Sequence, residues 1–343
     1  MHQLGTLEDL PESYRNELTE QNLVPLWPNM RAVLPPKVPS RKTRTLRWDY
    51  EVVRPLLLLA GELTPMEKAE RRVLVLANPG HGLNNMQATP SIYMGLQLIL
   101  PGETAPNHRH TPNAVRIIIE GEGAYTTVNG EPCRMERGDL ILTPSGKWHE
   151  HHHEGEGPIV WLDILDLPLI YQLEGSWAVE GQPQQTTLSR DKSFADYSAA
   201  GVVPNLNFQR GAADSPMLRY PWGKTRACLV EMAEHYQDGL LQVSYVNPET
   251  GASLFPSIGF GALMLRPGET VTLPRRTTAC VFHAVEGCGQ LSVDGGEPLA
   301  WNDKDTLSAP GYSDITLSNG SADQPAFMIT ADEAPLHRYL GIY

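Results

Sequence analysis

The 343 residues predict a mainly β protein, two jelly-roll barrels of antiparallel strands with helices ahead of the first barrel and between the two. Three observations carry this. Short apolar runs broken by Gly, Pro and Asn turns recur at even spacing from Ser91 to Leu165. The same rhythm returns from Val243 to the end of the chain. The second β region also repeats the turns of the first at a constant offset of 166 residues. Pro101-Gly-Glu-Thr104 stands against Pro267-Gly-Glu-Thr270, Glu120-Gly121 against Glu286-Gly287, Gly123 against Gly289, and Gly130-Glu-Pro132 against Gly296-Glu-Pro298. Asp139 and Pro144 meet Asp305 and Pro310. One supersecondary plan has been used twice.

In chain order, residues 7–24 mix Leu, Tyr and acids at near-helical spacing and predict a helix ending before Pro25-Leu-Trp-Pro28. Pro-rich coil follows through Pro35-Pro36 and Pro39. Trp48 to Ala60 predicts a second helical stretch, interrupted at Pro55. Thr64-Pro65-Met66-Glu67 combines a capping-box pair with Pro at the first helical position, so a short helix starts there. Arg72 to Ala77 reads as a strand closed by Asn78-Pro-Gly80. The next strands are Tyr93–Leu100, Val115–Ile119, Ala124–Val128, Leu140–Thr143 and Ile159–Ile164. Residues 172–220 are less regular and read as a connection. Thr225 to Tyr236 is a helix, with Leu229, Met232, Ala233 and Tyr236 on one face, stopped by Gly239. The chain thus divides into an N-terminal extension with one strand (1–80), a first barrel (81–171), a connection with a helix (172–240) and a second barrel (241–343).

Forty acids against 27 bases give a net charge of −13. That field repels nucleic acid and anionic membrane surfaces, so neither is expected as a partner. Cys133, Cys228, Cys280 and Cys288 show no CxxC or framework spacing, which fits a reducing cytoplasm. The N-terminus lacks the basic and apolar regions of a signal peptide, and Leu56–Leu59 is far too short to span a bilayer. A soluble, cytoplasmic protein is expected.

Chemistry concentrates between Pro101 and His153. His108 and His110 are two apart, so on a strand they share one face. His149 follows His110 by 39 residues, enough chain for strands to run out, turn and return. Three neutral imidazoles with coordination positions left over make a metal site of the catalytic kind. The alternative, a surface pair of histidines, is weakened by the repeat. There His108 falls on Pro274, His110 on Arg276 and His149 on Ile315, so the turns were kept in both copies and the ligands in one. The second barrel therefore reads as a structural or oligomerising domain without metal ligands. Arg116 interrupts the apolar run Val115–Ile119, where an unpaired charge is costly. It suits the carboxylate of an aromatic acid or, more plainly, a structural ion pair, for which Asp163 is the available acid. Arg72, opening its strand, is a second candidate for that carboxylate.

Gly102-x5-His108-x-His110 and Gly138-x5-Pro144-x-Gly146-x2-His149 resemble the two motifs of the cupin superfamily. Doubled and preceded by a helical extension, the whole chain resembles the bicupin gentisate 1,2-dioxygenases and their salicylate- and 1-hydroxy-2-naphthoate-cleaving relatives. Ala114 in place of the usual first-motif glutamate, with Arg116, Trp148-His149-Glu-His151 and Trp161-Leu-Asp163, is similar to that group in particular. The second motif departs from the usual pattern in ending on His153 rather than Asn. The resemblance implies one Fe(II) per chain, held by His108, His110 and His149, with a hydroxybenzoate and O2 as substrates. It also implies cleavage of gentisate between C1 and C2 to maleylpyruvate, a substrate-bonding role for His151, and a pocket lined by Tyr93, Gln97, Arg72 and Arg116. His151, Arg116 and Asp163 would be the catalytic side chains. A homotetramer is implied by the same likeness. Three neutral ligands leave a divalent ion its full charge for a dianionic chelate, and Fe(II) rather than Zn(II) suits oxygen chemistry. Salicylate or 1-hydroxy-2-naphthoate cleavage is the alternative, because position 93 carries Tyr. A Zn or Mn cupin isomerase or hydrolase would not need Arg116. A metal-free structural or small-molecule-binding bicupin is the reading from another class.

Overall fold

The computed structural model describes residues 4–208, 210 and 214–343, so the first three residues of the N-terminal stretch read above lie outside it. The chain falls into two compact units, Met1–Lys42 and Thr43–Tyr343. In the first unit, α1 (Glu12–Glu20) and α2 (Leu26–Val33) bury no residue. Sequence reasoning expected Pro-rich coil where α2 lies. The helix forms because Pro28 falls in its first turn, where a missing N–H breaks no intrahelical bond.

The second unit opens with β1 (Leu46–Trp48) and α3 (Tyr50–Leu63). Asp49 caps α3 by accepting from the Glu51 N–H at 3.1 Å. Pro55 does not interrupt the helix as expected. It sits on the exposed face while Tyr50, Leu57 and Gly61 bury the other, and that packing outweighs one lost hydrogen bond. In α4 (Met66–Ala69) Pro65 is the cap and makes no side-chain bond, so the expected Thr64/Glu67 capping box does not form.

The first barrel then runs through β2 (Val73–Val75), β3 (Tyr93–Ile99), β4 (Thr104–His110), β5 (Ala114–Glu120), β6 (Ala124–Val128), β7 (Glu131–Arg134), β8 (Leu140–Thr143), β9 (His149–His153) and β10 (Ile159–Leu165). Short elements follow: α5 (Leu167–Gln172), β11 (Ala178–Glu180), α6 (Lys192–Asp196) and β12 (Arg219–Tyr220), then α7 (Trp222–His235). The second barrel comprises β13 (Leu241–Ser244), β14 (Gly259–Leu265), β15 (Thr270–Thr272), β16 (Cys280–Glu286), β17 (Gly289–Val293), β18 (Leu299–Trp301), β19 (Thr306–Ala309), β20 (Ile315–Asn319) and β21 (Ala326–Asp332), with α8 (Ala334–Tyr339) behind it.

Each barrel is a sandwich of two antiparallel sheets. The first joins β12-β8-β5-β10-β3-β2 to β11-β4-β9-β6-β7, the second β1-β19-β16-β21-β14-β13 to β15-β20-β17-β18. β3, β5, β8 and β9 begin and end 166 residues before β14, β16, β19 and β20, the offset of the sequence repeat. The stretch read as a mere connection supplies two edge strands to the first barrel: β11 pairs β4 and β12 pairs β8. The N-terminal β1 pairs β19 of the second. These short strands cover edges that would otherwise present unpaired backbone.

Three apolar clusters hold the unit together. The largest lies between the six-stranded sheets, where Met94, Val115 and Leu140 of one barrel join Phe260, Ile329 and Phe327 of the other. The other two fill the barrel interiors. The interiors differ at matched positions. Gln97, Arg116 and His151 project into the first, and Leu263, Phe282 and Leu317 fill the second. The first barrel has kept polar groups where its twin has a packed core.

Candidate metal centre

Strand pairing brings the histidines together. β4 carries His108 and His110 on one face, β9 pairs antiparallel with it, and the register sets His108 opposite His149. The ring centroids of His108 and His149 lie 4.0 Å apart, those of His110 and His149 4.9 Å, and those of His108 and His110 5.4 Å. One nitrogen from each lies within 4.8 Å of the others, a spacing that one ion can bridge.

The tautomers follow from the partners. His108 Nδ1 lies 3.1 Å from Pro106 O, His110 Nδ1 2.8 Å from Pro112 O, and His149 Nδ1 3.0 Å from Lys147 O. A carbonyl can only accept, so each Nδ1 carries the hydrogen and each Nε2 keeps its lone pair. His149 Nε2 is buried and has no hydrogen-bond partner. Burial holds the rings neutral: the pKa of His110 falls to about 4 and that of His108 to about 2, with the Arg71 and Arg116 charges adding to both. Neutral imidazoles with free Nε2 lone pairs are what a divalent ion requires, so the donor set fits a metal.

Around this trio lies a ring of buried polar groups. Arg116, 3% exposed, sits 3.3 Å from Asp163 Oδ1 and donates to Thr143 Oγ1. Asp163 Oδ2 accepts from Trp161 Nε1 at 3.0 Å. The ion pair and the candidate pocket role are compatible, because this pair lies on strands β5 and β10 facing the barrel interior. His151 shares the inward face of β9 with His149, their rings 6.0 Å apart, and lies 4.9 Å from the Trp161 ring. Its Nδ1 is 2.9 Å from Thr126 Oγ1, which also lies 3.5 Å from Met135 Sδ. His151 Nε2 is buried and has no hydrogen-bond partner. Gln97 Nε2 is likewise buried and unpartnered. The Tyr93 hydroxyl lies over Gly95, 2.5 Å from where a Cβ would stand, and burial together with Asp163 pushes its pKa up. His152 points outward, as its parity requires, stacked on Tyr125 and 2.9 Å from Glu150 Oε1.

Arg72 requires a correction. Val73 pairs with Gln97, so Arg72 lies on the opposite face of its strand. There it ion-pairs with Glu103 and donates to Gly61 O of α3 at 3.2 Å. The pleat brings Arg71 to the histidines instead. It donates to Pro106 O at 3.1 Å, and burial with the neighbouring Arg116 charge brings its pKa down to about 10. Sequence reasoning missed Arg71, Thr126 and Thr143. The alternation from Gln97 through Val73 to Arg71 is the signal for the first, and it needs the pairing register to be seen.

Fold and site together define a bicupin with one three-histidine centre among the described residues. Residues 95–165 match the Cupin domain family. The whole chain is 58% identical to a gentisate 1,2-dioxygenase of Ralstonia sp, covering 100% of this chain and 96% of that one. It is 37% identical to gentisate 1,2 dioxygenase 1 of Aquipseudomonas alcaligenes over 88% of this chain and 87% of that one. The crystal structure of a salicylate 1,2-dioxygenase from Pseudaminobacter salicylatoxidans superposes with a TM-score of 0.89 at 31% identity, covering 97% of each chain. The chain belongs to the gentisate 1,2-dioxygenase family of ring-cleaving bicupins.

Proposed function

We propose that the chain cleaves gentisate between C1 and C2 with O2 to give maleylpyruvate, as an iron-dependent dioxygenase of aromatic catabolism. The observation that carries this is the convergence of three Nε2 lone pairs beside a buried arginine, in one barrel of an otherwise matched pair. The Ralstonia relative is named a gentisate 1,2-dioxygenase. His108, His110 and His149 would hold Fe(II), one ion per chain. When bound, that ion supplies the charge that chelates the carboxylate and ortho-phenolate and the electrons that activate O2.

The remaining work falls to side chains. Arg116 and Arg71 present two guanidinium charges to an anionic ring acid, and Asp163 fixes the orientation of the first. His151 Nε2, buried and without a protein partner, would take the proton of a ring hydroxyl and return it after ring opening. Gln97 and Tyr93 offer an amide and a phenol to the ring substituents. Both oxygen atoms enter the product as the C1–C2 bond breaks, so no external reductant is consumed. The exposed stripe Val52, Leu56, Leu59 and Leu63 on α3 supports burial against another copy, and a homotetramer in the cytoplasm is the proposed assembly and location.

The test is O2 uptake by iron-loaded enzyme with gentisate, salicylate and 1-hydroxy-2-naphthoate side by side. Gentisate should be consumed fastest with equimolar O2. His108→Ala should fold normally yet lose both bound iron and uptake. An iron-replete enzyme that takes up no O2 with gentisate defeats the reading.

A further inference from the structure

The second barrel lost the histidines but kept a hollow at its mouth. A cavity of about 330 Å³ opens there, bounded by Gln242, Gly259, Gly261, Arg276, Thr330 and Arg338. Two glycines keep it open: Gly259 stands where the first barrel has Tyr93, and Gly261 matches Gly95. A Cβ on Gly261 would lie 2.9 Å from Val243 O and 3.1 Å from Thr330 Oγ1. Arg276 occupies the position of His110.

The charges in this hollow do not cancel. Arg276 Nη1 lies 2.6 Å from Asp332 Oδ2, and its Nη2 lies 3.4 Å from Gln242 Oε1. The other oxygen of Asp332 accepts from the Ala334 N–H at 2.8 Å. Arg338 lies over the Tyr343 ring at 4.4 Å and faces no carboxylate among the described residues. Two guanidiniums thus meet one carboxylate, a local excess of positive charge on a chain whose net charge is −13. A second, small hollow of about 20 Å³ shares Gln242, Arg276 and Thr330 with this one and is lined by Thr278 as well. Thr278 is 2% exposed, and its Oγ1 is buried without a hydrogen-bond partner. A buried hydroxyl left unpaired is costly unless something else satisfies it. Beside Tyr245, Phe260 and Val246, the walls offer mostly hydroxyl, amide, guanidinium and backbone groups, so they suit a ligand rich in oxygen.

We propose that the mouth of the second barrel binds a small, oxygen-rich organic carboxylate, gripped by Arg338 and Arg276, with Thr278 and Gln242 bonding its other oxygens. The site is independent of the chemistry proposed for the first barrel.

Calorimetric titration of the iron-loaded protein with malate tests this, with benzoate and inorganic phosphate as comparators. Malate should bind, and Arg338→Gln should weaken it about tenfold or more while gentisate turnover is unchanged. Thr278→Val, close to isosteric, should weaken it severalfold and leave the melting temperature within a degree or so of the parent. Arg276→Gln combined with Asp332→Asn removes one charge of each sign, leaves the net charge of the pocket as it was, and should abolish binding without a stranded carboxylate. Absence of malate binding overturns the proposal, as does malate binding indifferent to Arg338→Gln, which would locate it in the first barrel. Phosphate binding as tightly as malate would mark a plain anion patch, and tighter benzoate binding an aromatic site. Either result overturns the assignment.

Discussion

The donor set of the first barrel is ordered nitrogen by nitrogen. Each histidine of the trio spends Nδ1 on a carbonyl within two residues of itself, so the strand that carries the ring also fixes its tautomer. His151 Nδ1 has a side chain as its partner instead, which makes Thr126 a positioning residue. Thr126→Val should retain iron but lower kcat about tenfold, because the ring can then turn Nε2–H toward the substrate. The acid limb of the kcat pH profile should move with it, which a purely structural defect would not do. The two adjacent arginines separate in the same way. Arg71→Met should raise KM roughly tenfold with little change in melting temperature. Arg72→Met should leave KM alone and lower the melting temperature by roughly 2–4 °C, since it strands Glu103 and the Gly61 carbonyl. Kinetics and melting curves on the two variants decide between the faces of one strand.

Among the elements, β11 matters more than its three residues suggest. It pairs with β4 so that Glu180 lies opposite His108 and Ala178 opposite His110, bracing the strand that carries two ligands. The strap returns through Gly181, where a Cβ would lie 2.4 Å from the Trp148 ring. Trp148 also stacks with Arg109, at 4.8 Å. Gly181→Val should therefore lift β11 from β4 and weaken iron retention at least severalfold, read by metal content after dialysis against a mild chelator, while the far-UV spectrum stays native. Such edge strands were not legible in the sequence. β1, β11 and β12 run two or three residues, too short for a period-2 pattern, and their order comes from the strand beside them. The long strands were legible because Gly, Pro and Asn turns bound them. Ala124–Val128 and Leu140–Thr143 match their expected limits to the residue. The histidine trio was legible from spacing and from its loss in the repeat. Choosing Arg71 over Arg72 was not, since a slip of one residue in register inverts every face.

The whole unit is two barrels sharing one core, and Glu333 sits in that seam. Its side chain is 1% exposed, accepts from Thr89 Oγ1 of the first barrel, and lies 3.4 Å from the Ser91 N–H, while Oε2 has no partner. Burial raises its pKa from 4.5 to about 7, with nearby Asp332 pushing the same way against the two hydrogen bonds. The folded chain then keeps a proton that the unfolded chain releases above its ordinary carboxyl range. Between pH 4.5 and about 7 the unfolded state binds fewer protons, so stability must fall as pH rises through that window and level off above it. The full drop is on the order of 3 kcal/mol for this one group. Glu333→Gln keeps the shape and a donor for the unpaired position but cannot ionise. Denaturant midpoints should show the wild type losing stability from pH 5 to pH 8 by more than the variant does, and the variant should be the more stable at pH 8. Equal slopes for the two proteins would mean that Glu333 is ionised in the seam and that the barrels are wetter there than their shared apolar core implies.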